Sequence, residues 1–268
     1  MHMPPSLIRG LKPRHRISFP PLASQHLPQD EVTFQLDEGG EQLHLRFHDY
    51  GALYQRPGLY EQLFYERLKC RSPQKIAEIM DNVVTANGGR LSELRVLDVG
   101  AGNGIMGELL ATRSVARLVG IDILEDAKSA CERDRPGVYD AYYVEDLTAL
   151  TKDAEQELES WQFDAMCCIA ALGFGDIPVE AFTRAYNLVS DGGWAAFNVR
   201  DTFLESTDQS GFSLLIKKLL TRDMLEIHHL ERYVHRISID GSPLYYYALV
   251  GRKKGNITPA IIEEKLGW

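Results

Sequence analysis

The stretch VLDVGAGNG, residues 96–104, decides the fold of this chain. Its apolar start, rich in β-branched residues, predicts a strand that is covered on both faces. Glycines then stand at three alternate positions and allow backbone amide groups to approach a ligand closely. The following segment, IMGELLATR at 105–113, has apolar residues at helical spacing. We therefore predict a strand, a glycine-rich loop and a helix, which is typical of sites for nucleotide-like cofactors.

The spacing of the glycines separates two classes of cofactor. Dinucleotide-binding loops follow the pattern G-x-G-x-x-G, whose third glycine would fall on Ile105 here, so NAD is disfavoured. An acidic residue, Asp98, stands two positions before Gly100. A carboxylate at that place suits an ammonium group and repels a phosphate. A glycine-rich turn in an unrelated α/β protein is the alternative at this point.

Two further acids follow short apolar segments. The segment RLVGIDIL at 117–124 predicts a second strand ending at Asp122, where a carboxylate accepts hydrogen bonds from ribose hydroxyls in sheets of this type. The segment AYYVEDL at 141–147 predicts a third strand, after which Asp146 is a candidate acceptor for the adenine amine. Ile123 and Leu147 offer apolar faces to the ring. The alternative for Asp146 is a helix cap or an ordinary loop acid.

Strands and helices alternate through the rest of the central region. Strands are predicted at 163–172 and 194–200, with a helix at 179–189 and the turn SDGG at 190–193 between them. After a further helix, ERYVHRISI and PLYYYALVGRK flank an Asp-Gly-Ser turn and predict an antiparallel hairpin. This order predicts an α/β fold, a doubly wound Rossmann-like sheet of seven mostly parallel strands with a C-terminal antiparallel hairpin. Ligands of such sheets bind beyond the carboxyl ends of the strands.

Residues 95–200 resemble the methyltransferase domain of the class I S-adenosylmethionine-dependent family. The motifs that carry the resemblance are VLDVGAGNG, GIDIL, FDAMCCIAALGFGDIP and SDGGWAAFNVRDTF. Within this family the chain is most similar to the methyltransferase-like proteins of the Williams-Beuren region and their bacterial relatives. The resemblance implies that S-adenosyl-L-methionine is the cofactor.

The resemblance also implies roles for individual residues. The glycine loop would hold the methionine moiety, Asp122 the ribose, and Asp146 with Leu147 the adenine, while Ile169 and Ala170 would line the methionine side. Tyr54 is expected to meet the donor from a preceding segment. The predicted cofactor-binding residues are Tyr54, Asp98, Gly100, Ala101, Gly102, Asn103, Gly104, Asp122, Ile123, Asp146, Leu147, Ile169 and Ala170.

The chain departs from the common family pattern in two places. Asp191-Gly192-Gly193 replaces the usual Pro-Gly-Gly, and still predicts a turn. Ala170-Ala171-Leu172-Gly173 stands where enzymes that methylate amino groups of nucleobases or glutamine carry Asn-Pro-Pro-Tyr or Asp-Pro-Pro-Tyr. Amino methylation of DNA therefore loses support.

Composition narrows the class of protein. The 268 residues carry a net charge of −9, which disfavours a general nucleic-acid surface because phosphate binding needs clustered Lys and Arg. The four cysteines lack metal-ligand spacing, predicting reduced core thiols and no metal. No apolar run approaches the length of a membrane span, and no signal-like segment is seen. We expect a cytoplasmic protein with no membrane partner, as a monomer or homodimer.

Four segments are predicted. Residues 1–46 are predicted to form a Pro-rich arm and a hairpin, and residues 47–90 a helical lid. Residues 91–252 are predicted to form the cofactor-binding domain. Residues 253–268 are predicted to form a tail with a short helix, and Trp268 is expected to dock on the body of the protein. Tyr50, Tyr54 and Tyr60 in the lid could cover the cofactor, since aromatic faces stabilise a sulfonium cation. The alternative is an amphipathic helix at about 59–70 with Leu59, Leu63, Phe64 and Leu68 facing the core. A second helix at 72–84 is expected to have Ser72 as its N-cap.

The acceptor is less constrained by the sequence. Asp176, Asn198, Arg200 and Asp201 follow the fourth and fifth strands, and the two acids are possible bases whereas Arg200 could pair with a substrate carboxylate. No catalytic residue is assigned. The histidines at 228, 229 and 235 show no ligand spacing and are expected to be structural. A small-molecule acceptor is favoured, with a protein or peptide methyltransferase and a non-catalytic cofactor-binding scaffold as alternatives.

Overall fold

A computed structural model describes residues 13–20, 31–172, 177–205 and 211–263. Within these ranges, seven strands form one sheet in the order β6-β5-β4-β7-β8-β10-β9, and three more form a separate antiparallel sheet in the order β1-β2-β3. The bounds of the strands are β1 Arg16–Ser18, β2 Thr33–Glu38, β3 Glu41–Arg46, β4 Arg95–Val99, β5 Arg117–Asp122, β6 Ala141–Val144, β7 Phe163–Leu172, β8 Val189–Arg200, β9 Leu225–Ile237 and β10 Pro243–Lys253.

The large sheet confirms the predicted fold class. Strands β4 to β8 pair in parallel, while β10 pairs antiparallel with both β8 and β9. The chain crosses from one side of β4 to the other after β6, so β4 lies between β5 and β7. The carboxyl ends of these strands meet at one edge, where doubly wound sheets bind their ligands.

Helices follow most of the parallel strands, as a doubly wound arrangement requires. Their bounds are α1 Tyr50–Tyr54, α2 Leu59–Glu61, α3 Ser72–Ala86, α4 Ile105–Ala111, α5 Glu125–Asp134, α6 Lys152–Ser160, α7 Val179–Leu188, α8 Gly211–Thr221 and α9 Pro259–Glu263. The helices α3 and α4 contribute Met80 and Leu110 to an apolar cluster on one face of the sheet. On the other face, Phe182 of α7 and Leu215 of α8 belong to a second cluster. Both faces of the central strands are thus buried.

The N-terminal extension builds its own small core. The predicted hairpin is present as β2 and β3, and its inward side chains Phe34 and Leu36 are fully buried. They belong to one apolar cluster with Leu53, Leu59 and Leu63, against which Ile237 of β9 also packs. The extension therefore rests on the C-terminal hairpin as well as on the helices that precede the main domain.

The predicted helix at 59–70 differs from the observed structure. After the single turn of α2, residues Gln62–Arg67 form a π-helical turn in which Leu68 N donates to Leu63 O at 3.0 Å. A π-helical turn brings residues five apart onto one face. Leu63 and Leu68, each at most 1% exposed, consequently face the same core, whereas a regular α-helix would separate them.

Several predicted boundaries are also wrong. The SDGG turn lies inside β8, because Phe163 pairs with Val189 whereas Ala165 pairs with Trp194, so the three extra residues of β8 bulge outward. Strand β9 begins at Leu225, six residues earlier than predicted, since its whole length pairs with β10. Ser72 is not the N-cap of α3, a position held by Arg71.

Several predictions fall on residues outside the described ranges, namely those for Gly173, Asp176 and Trp268 and for most of the Pro-rich arm, at 1–12 and 21–30. None of the described helices is both long and apolar enough to cross a membrane. The four cysteines are buried and unpaired with one another, as predicted for core thiols.

Candidate ligand-binding site

The glycine loop between β4 and α4 has an unusual backbone. Gly100, Gly102 and Gly104 have φ angles of 68°, 55° and 83°, which side-chain-bearing residues rarely adopt. A Cβ atom added at Gly102 would lie 2.5 Å from Tyr54 Oη, and one at Gly104 would lie 2.7 Å from Cys131 Sγ. Glycine is thus required at both positions by conformation and by space.

Asp122, at the end of β5, fixes this loop. Its Oδ2 accepts a hydrogen bond from Gly102 N at 2.9 Å, and its Oδ1 accepts one from Leu124 N at 3.0 Å. Burial raises the pKa of Asp122, and the backbone hydrogen bonds oppose that change. The two neighbouring strand ends are therefore linked by a half-buried carboxylate.

Asp98 lies beneath the loop and is only 1% exposed. Tyr139 Oη donates to its Oδ2 at 2.6 Å, and Cys167 Sγ donates to its Oδ1 at 3.2 Å. Burial raises the pKa of Asp98 to about 6, against the lowering effect of these two hydrogen bonds. The charge of this carboxyl group is consequently sensitive to pH near neutrality.

The carboxyl ends of the parallel strands border a cavity, called here the main cavity, with an empty volume of about 840 Å³ out to its open mouth. Of the residues predicted from the sequence, eight line it: Tyr54, Gly100, Asp122, Ile123, Asp146, Leu147, Ile169 and Ala170. Ile123 is 61% exposed although it is large and apolar.

A smaller space, called here the loop cavity, adjoins the main cavity at Tyr54, Gly100 and Ile169. It contains four other predicted residues, Asp98, Ala101, Gly102 and Asn103. Gly104 lines neither space, because it occupies the N-cap position of α4. Twelve of the thirteen predicted residues are therefore brought together around two adjoining spaces.

Asp146 is held by its own turn. Its Oδ1 accepts from Thr148 N at 2.8 Å and from Thr148 Oγ1 at 2.7 Å, and these bonds lower its pKa. The hydrogen bonds of Asp146 are thus those of an ordinary loop acid, which was the alternative prediction. The residue nevertheless borders the main cavity.

Three tyrosines close the main cavity from the side of the N-terminal extension. We call residues 50–67 the aromatic cap. The ring centroids of Tyr54 and Tyr60 are 5.0 Å apart, and those of Tyr50 and Tyr60 are 6.4 Å apart. Tyr54 is 6% exposed, and burial raises its pKa well above the usual value. The cap therefore presents a neutral aromatic wall to the cavity.

The aromatic cap is attached to the glycine loop by charged residues that the sequence analysis missed. Glu61 accepts from Asn103 Nδ2 at 3.1 Å and from Arg135 Nη2 at 2.7 Å. Arg135 also donates to Asn103 O at 3.0 Å and to Glu108 at 2.9 Å. The sequence gives no signal for this clamp, because Arg135 ends a highly charged segment that resembles a solvated helix end.

Behind Tyr50 and Tyr60 lies a further, narrow space, called here the second cavity. Its other lining residues are His48, Phe64, Cys70, Ala170, His235, Arg236 and Tyr246. Ala170 has a φ of 61°, and its N donates to Asn198 Oδ1 at 2.7 Å. The strain of a left-handed alanine, about 1–2 kcal/mol, is thus offset by a buried hydrogen bond at the end of β7.

Asn198 belongs to a buried polar network. Its Nδ2 donates to Tyr233 Oη at 2.9 Å, and Ser72 Oγ lies 2.7 Å from Tyr233 Oη and 2.6 Å from His235 Nδ1. Ser72 therefore bonds to β9 instead of capping its helix. His235 is 5% exposed, and burial lowers its pKa well below the usual value, so the ring is neutral.

The remaining polar candidates have ordinary structural partners. Asp201 Oδ2 accepts from Arg232 Nη2 at 2.8 Å. His229 pairs with Glu231 at 3.1 Å, and the ring of His228 lies edge-on to Trp194. None of these contacts belongs to the main cavity.

Comparisons with known proteins agree with this architecture. Residues 97–197 match a family model described as a methyltransferase domain. The ubiquinone biosynthesis O-methyltransferase of Chromobacterium violaceum is 33% identical over 109 residues, which cover 39% of this chain and 43% of that protein. The mitochondrial enzyme of the same name from Saccharomyces cerevisiae is 26% identical over 196 residues, covering 67% of this chain and 55% of that protein.

The chain thus spans about half the length of the curated relatives it matches. Among solved structures, the magnesium protoporphyrin IX methyltransferase of Synechocystis, determined with bound S-adenosylmethionine, aligns with a TM-score of 0.47 and 16% identity over 68% of this chain and 79% of that one. The finer resemblance to the Williams-Beuren-region proteins stays a prediction. The matched segment carries the glycine loop and most of the parallel strands β4 to β8, and residues 97–197 therefore form a methyltransferase domain.

Proposed function

We propose that this protein is a methyltransferase that transfers the methyl group of S-adenosylmethionine to a small-molecule acceptor. The observation that carries the proposal is the pair of adjoining spaces bordered by the glycine loop, Asp122 and the aromatic cap. When bound, S-adenosylmethionine supplies a methyl group whose bond to sulfur breaks, with its electron pair going to sulfur, as an acceptor lone pair forms the new bond. The task of the protein is then to position both molecules and to exclude water.

The residues of the main cavity suit the nucleoside part of the donor. We assign the ribose to Asp122, whose carboxylate offers about four acceptor positions, of which the loop amides use only part. We assign the adenine to the apolar surfaces of Ile123 and Leu147. The oxygen of Asp146 that would accept from the adenine amine is Oδ2, because both bonds from Thr148 go to Oδ1.

The loop cavity suits the amino acid part. Residues 100–103 and Asp98 are among the residues that line it. A donor ammonium near Asp98 would favour the ionised carboxylate, because opposite charges lower the pKa of a buried acid. We assign the methionine moiety of the donor to this space, with Ile169 and Ala170 on its side facing the acceptor.

The aromatic cap supports the assignment of the sulfonium group. The rings of Tyr54, Tyr60 and Tyr50 border the junction of the spaces, and aromatic faces attract a cation by about 0.5–2 kcal/mol. An anionic tyrosinate is not formed there at neutral pH, since burial raises the pKa of Tyr54 and Tyr60.

A small acceptor is supported by enclosure and by charge. The side of the main cavity away from the glycine loop is closed by the aromatic cap and Ala170, which leaves the narrow second cavity behind it. The net charge of −9 disfavours a phosphate backbone as substrate. The names of the curated relatives describe O-methyltransferases of ubiquinone biosynthesis, which also supports a small acceptor and favours oxygen as its reacting atom.

The donor assignment is tested by calorimetry with S-adenosylmethionine. We expect Asp122→Ala to weaken binding by about tenfold or more, because it removes both the ribose acceptor and the support of the loop at Gly102. Asp153→Ala on the exposed surface of α6 is the matched control and should bind like the wild type. Equal binding by Asp122→Ala, or no heat with the wild type, would contradict the assignment.

The acceptor class is tested with S-adenosylmethionine labelled in its methyl group. The full-length protein is incubated separately with a metabolite fraction and a protein fraction, and the label is followed in each. Label in the metabolite fraction is the expected result. Label confined to protein would establish the alternative of a protein methyltransferase.

A further inference from the structure

The main cavity and the loop cavity are lined by acids and by no bases. Asp122, Glu145 and Asp146 line the main cavity, and Asp98 lines the loop cavity. The described residues that border these two spaces include no lysine, arginine or histidine. A cleft with low-dielectric walls and charges of one sign concentrates the field of those charges. A ligand in the main cavity therefore experiences a negative potential.

The arginines that attach the aromatic cap do not cancel this potential. Arg135 pairs with Glu61 at 2.7 Å and with Glu108 at 2.9 Å, and it lines neither space. Arg133 pairs with Asp134 at 3.0 Å. Each guanidinium thus has at least one carboxylate beside it, and the clamp adds no net positive charge to the site.

The aromatic cap adds to the same preference. The faces of its rings carry the negative part of the ring quadrupole and attract a cation. Tyr54 and Tyr60 stay neutral because burial raises their pKa, so they offer this attraction without a charge of their own. The acids and the rings, which come from different parts of the chain, therefore both favour a positively charged ligand.

Glu145 differs from the other acids of the site. Asp98, Asp122 and Asp146 are each held by hydrogen bonds to the protein. Glu145 N donates to Asp122 O at 3.0 Å, which places this residue directly beside the acid assigned to the ribose. Within the described ranges the half-buried carboxylate of Glu145 has neither a hydrogen bond nor an ion pair. Local structure therefore does not explain its charge.

A carboxylate in this place has a different effect on each side of the reaction. When the methyl group leaves, the electron pair of the broken bond stays on sulfur and the positive charge passes with the methyl group to the acceptor. S-Adenosylmethionine has one net positive charge, whereas its product S-adenosylhomocysteine has none. Covering Glu145 with a ligand removes water from the carboxylate, and only a cationic ligand offsets that loss.

We propose that Glu145 is a specificity-determining residue that distinguishes the cationic donor from its uncharged product. The inference rests on the proposed function for the identity of the donor. Glu145 and the aromatic cap together stabilise the sulfonium form, and this stabilisation ends when the methyl group has left. S-Adenosylhomocysteine is consequently released readily and competes weakly with the next molecule of donor.

The test compares S-adenosylhomocysteine with sinefungin by calorimetry on the full-length protein. The two compounds share the adenosine and amino acid parts, and sinefungin carries a protonated amino group where the donor carries its methylated sulfur. The wild type should bind sinefungin more tightly than S-adenosylhomocysteine by about tenfold or more, since several carboxylates and rings act together. Equal binding, or tighter binding of S-adenosylhomocysteine, would overturn the proposal.

Variants of Glu145 locate the effect. Glu145→Gln should weaken sinefungin by about three- to tenfold and leave S-adenosylhomocysteine unchanged, because only the charge is removed. Glu145→Asp, which keeps the charge, should retain most of the preference. The unchanged affinity for S-adenosylhomocysteine also shows that the variant is folded. If Glu145→Gln weakened both ligands equally, Glu145 would bind their shared nucleoside part, and the proposal would be wrong.

Glu132→Gln on the exposed surface of α5 is the matched control. It changes the net charge of the protein by the same amount, and Glu132 lines neither space. Both ligands should bind to it as they bind to the wild type. A loss of sinefungin affinity as large as that in Glu145→Gln would show that the overall charge of the protein, and not Glu145, sets the preference.

The outcome is separable from that of the proposed function. Failure of S-adenosylmethionine, sinefungin and S-adenosylhomocysteine to bind would refute the proposed function and this inference together. Binding of all three with equal affinity would refute the inference alone. A preference for the cationic ligands that depends on Glu145, in a protein that transfers label to neither fraction, would support the inference and refute the methyltransferase activity.

Discussion

Two sides of the proposed site are built in different ways, and we call them here the donor side, which is loop 100–104 with Asp122, and the acceptor side, which is the wall of the second cavity. On the donor side, loop 100–104 and Asp122 come from consecutive units of one sheet, and the geometry is fixed by backbone dihedral angles and by bonds to backbone amides. On the acceptor side, the aromatic cap meets β9 and β10 from almost two hundred residues away, and the geometry is fixed by packed side chains. The comparison teaches that one side of a cavity can be built from residues close in sequence, while the neighbouring side depends entirely on tertiary packing.

The clamp at Glu61 is where the two sides meet. It joins the aromatic cap to Asn103 in the glycine loop and to Arg135 after α5. Arg133 Nη1 adds a bond to Tyr54 O at 2.9 Å. The cap is therefore attached to the donor side by charged groups and to the acceptor side by apolar packing, so the two attachments can be weakened separately.

The largest effect is expected from Gly102→Ala on the donor side. A Cβ there would lie 2.5 Å from Tyr54 Oη on a backbone with φ of 55°, so strain and steric overlap add. We expect the affinity for S-adenosylmethionine, measured by calorimetry, to fall by about a hundredfold. This corresponds to a combined cost of strain and overlap of roughly 3 kcal/mol.

Gly192→Ala is the matched control for Gly102→Ala. Gly192 has a φ of 78° but open space around its Cβ position, so it carries the strain without the overlap. It should leave donor binding unchanged. Adding Tyr54→Phe to Gly102→Ala should restore part of the affinity, because it removes the overlapping oxygen. No restoration would mean that the backbone alone accounts for the loss.

The next largest effect is expected from Glu61→Gln, which weakens the clamp. Arg135 has a side chain only 8% exposed, and it would keep just one of its two carboxylate partners. We expect the free energy of unfolding to fall by about 1–3 kcal/mol, together with a lower affinity for S-adenosylmethionine. Chemical denaturation and calorimetry measure the two changes.

Glu66→Gln is the corresponding change in an exposed pair. Glu66 pairs with Arg14 at 2.9 Å, and their side chains are 52% and 74% exposed. Its unfolding free energy should change by less than about 0.5 kcal/mol. Similar losses in both variants would show that Glu61 acts only as a surface charge.

The same contrast explains what the sequence could predict. Strand ends, glycine spacing and the acids at 98, 122 and 146 follow one another along the chain, and twelve of the thirteen predicted residues border the two adjoining spaces. Asp98 shows the limit of such patterns, since its burial against Tyr139 and Cys167 depends on β7 and on the loop before β6. A sequence pattern therefore predicts where a carboxyl group lies along the chain, but it does not predict whether that group is buried or exposed to water.

The acceptor side lacked any comparable pattern. Arg236 lies in an alternating strand where arginine ordinarily faces solvent, yet it is 4% exposed and lies near the rings of Phe47 and Phe64 in the N-terminal extension. Ala170 adopts a left-handed backbone that nothing in its own sequence segment demands. The π-helical turn at 62–67 arises for the same reason, because the packing of Leu63 and Leu68 overrides the regular helical period.

A smaller effect is expected from pH on the donor side. The pKa of Asp98 is raised to about 6 by burial, so the carboxyl group is largely ionised above pH 7 and largely neutral below pH 5. A cationic donor next to it should bind more tightly as the pH rises from 5 to 7.5, by about tenfold or less. Calorimetry across this range measures the trend.

Asp98→Asn should remove that dependence on pH. The stability of the folded protein is expected to change with pH in the opposite direction to the donor affinity. Because the folded pKa of Asp98 lies above its unfolded value, its stabilising contribution is complete below about pH 4 and is lost as the pH rises through about 6. An Asp98→Asn protein whose donor affinity still rises between pH 5 and 7.5 would assign the titration to another group.

The smallest effect is expected from Asp146→Ala at the mouth of the main cavity. An exposed carboxylate contributes one hydrogen bond in competition with water, so S-adenosylhomocysteine should bind about three- to tenfold more weakly. The more informative measurement compares S-adenosylhomocysteine with S-inosylhomocysteine, which lacks the exocyclic amine. The wild type should prefer the adenine compound, and Asp146→Ala should bind both alike. Thr148→Val, which removes only the hydroxyl bond to Oδ1, should keep the preference, because we assign the amine to Oδ2. If Thr148→Val also abolished the preference for the adenine compound, the turn itself and not Oδ2 of Asp146 would recognise the base. The donor side would then depend on side-chain packing at its mouth, as the acceptor side does throughout.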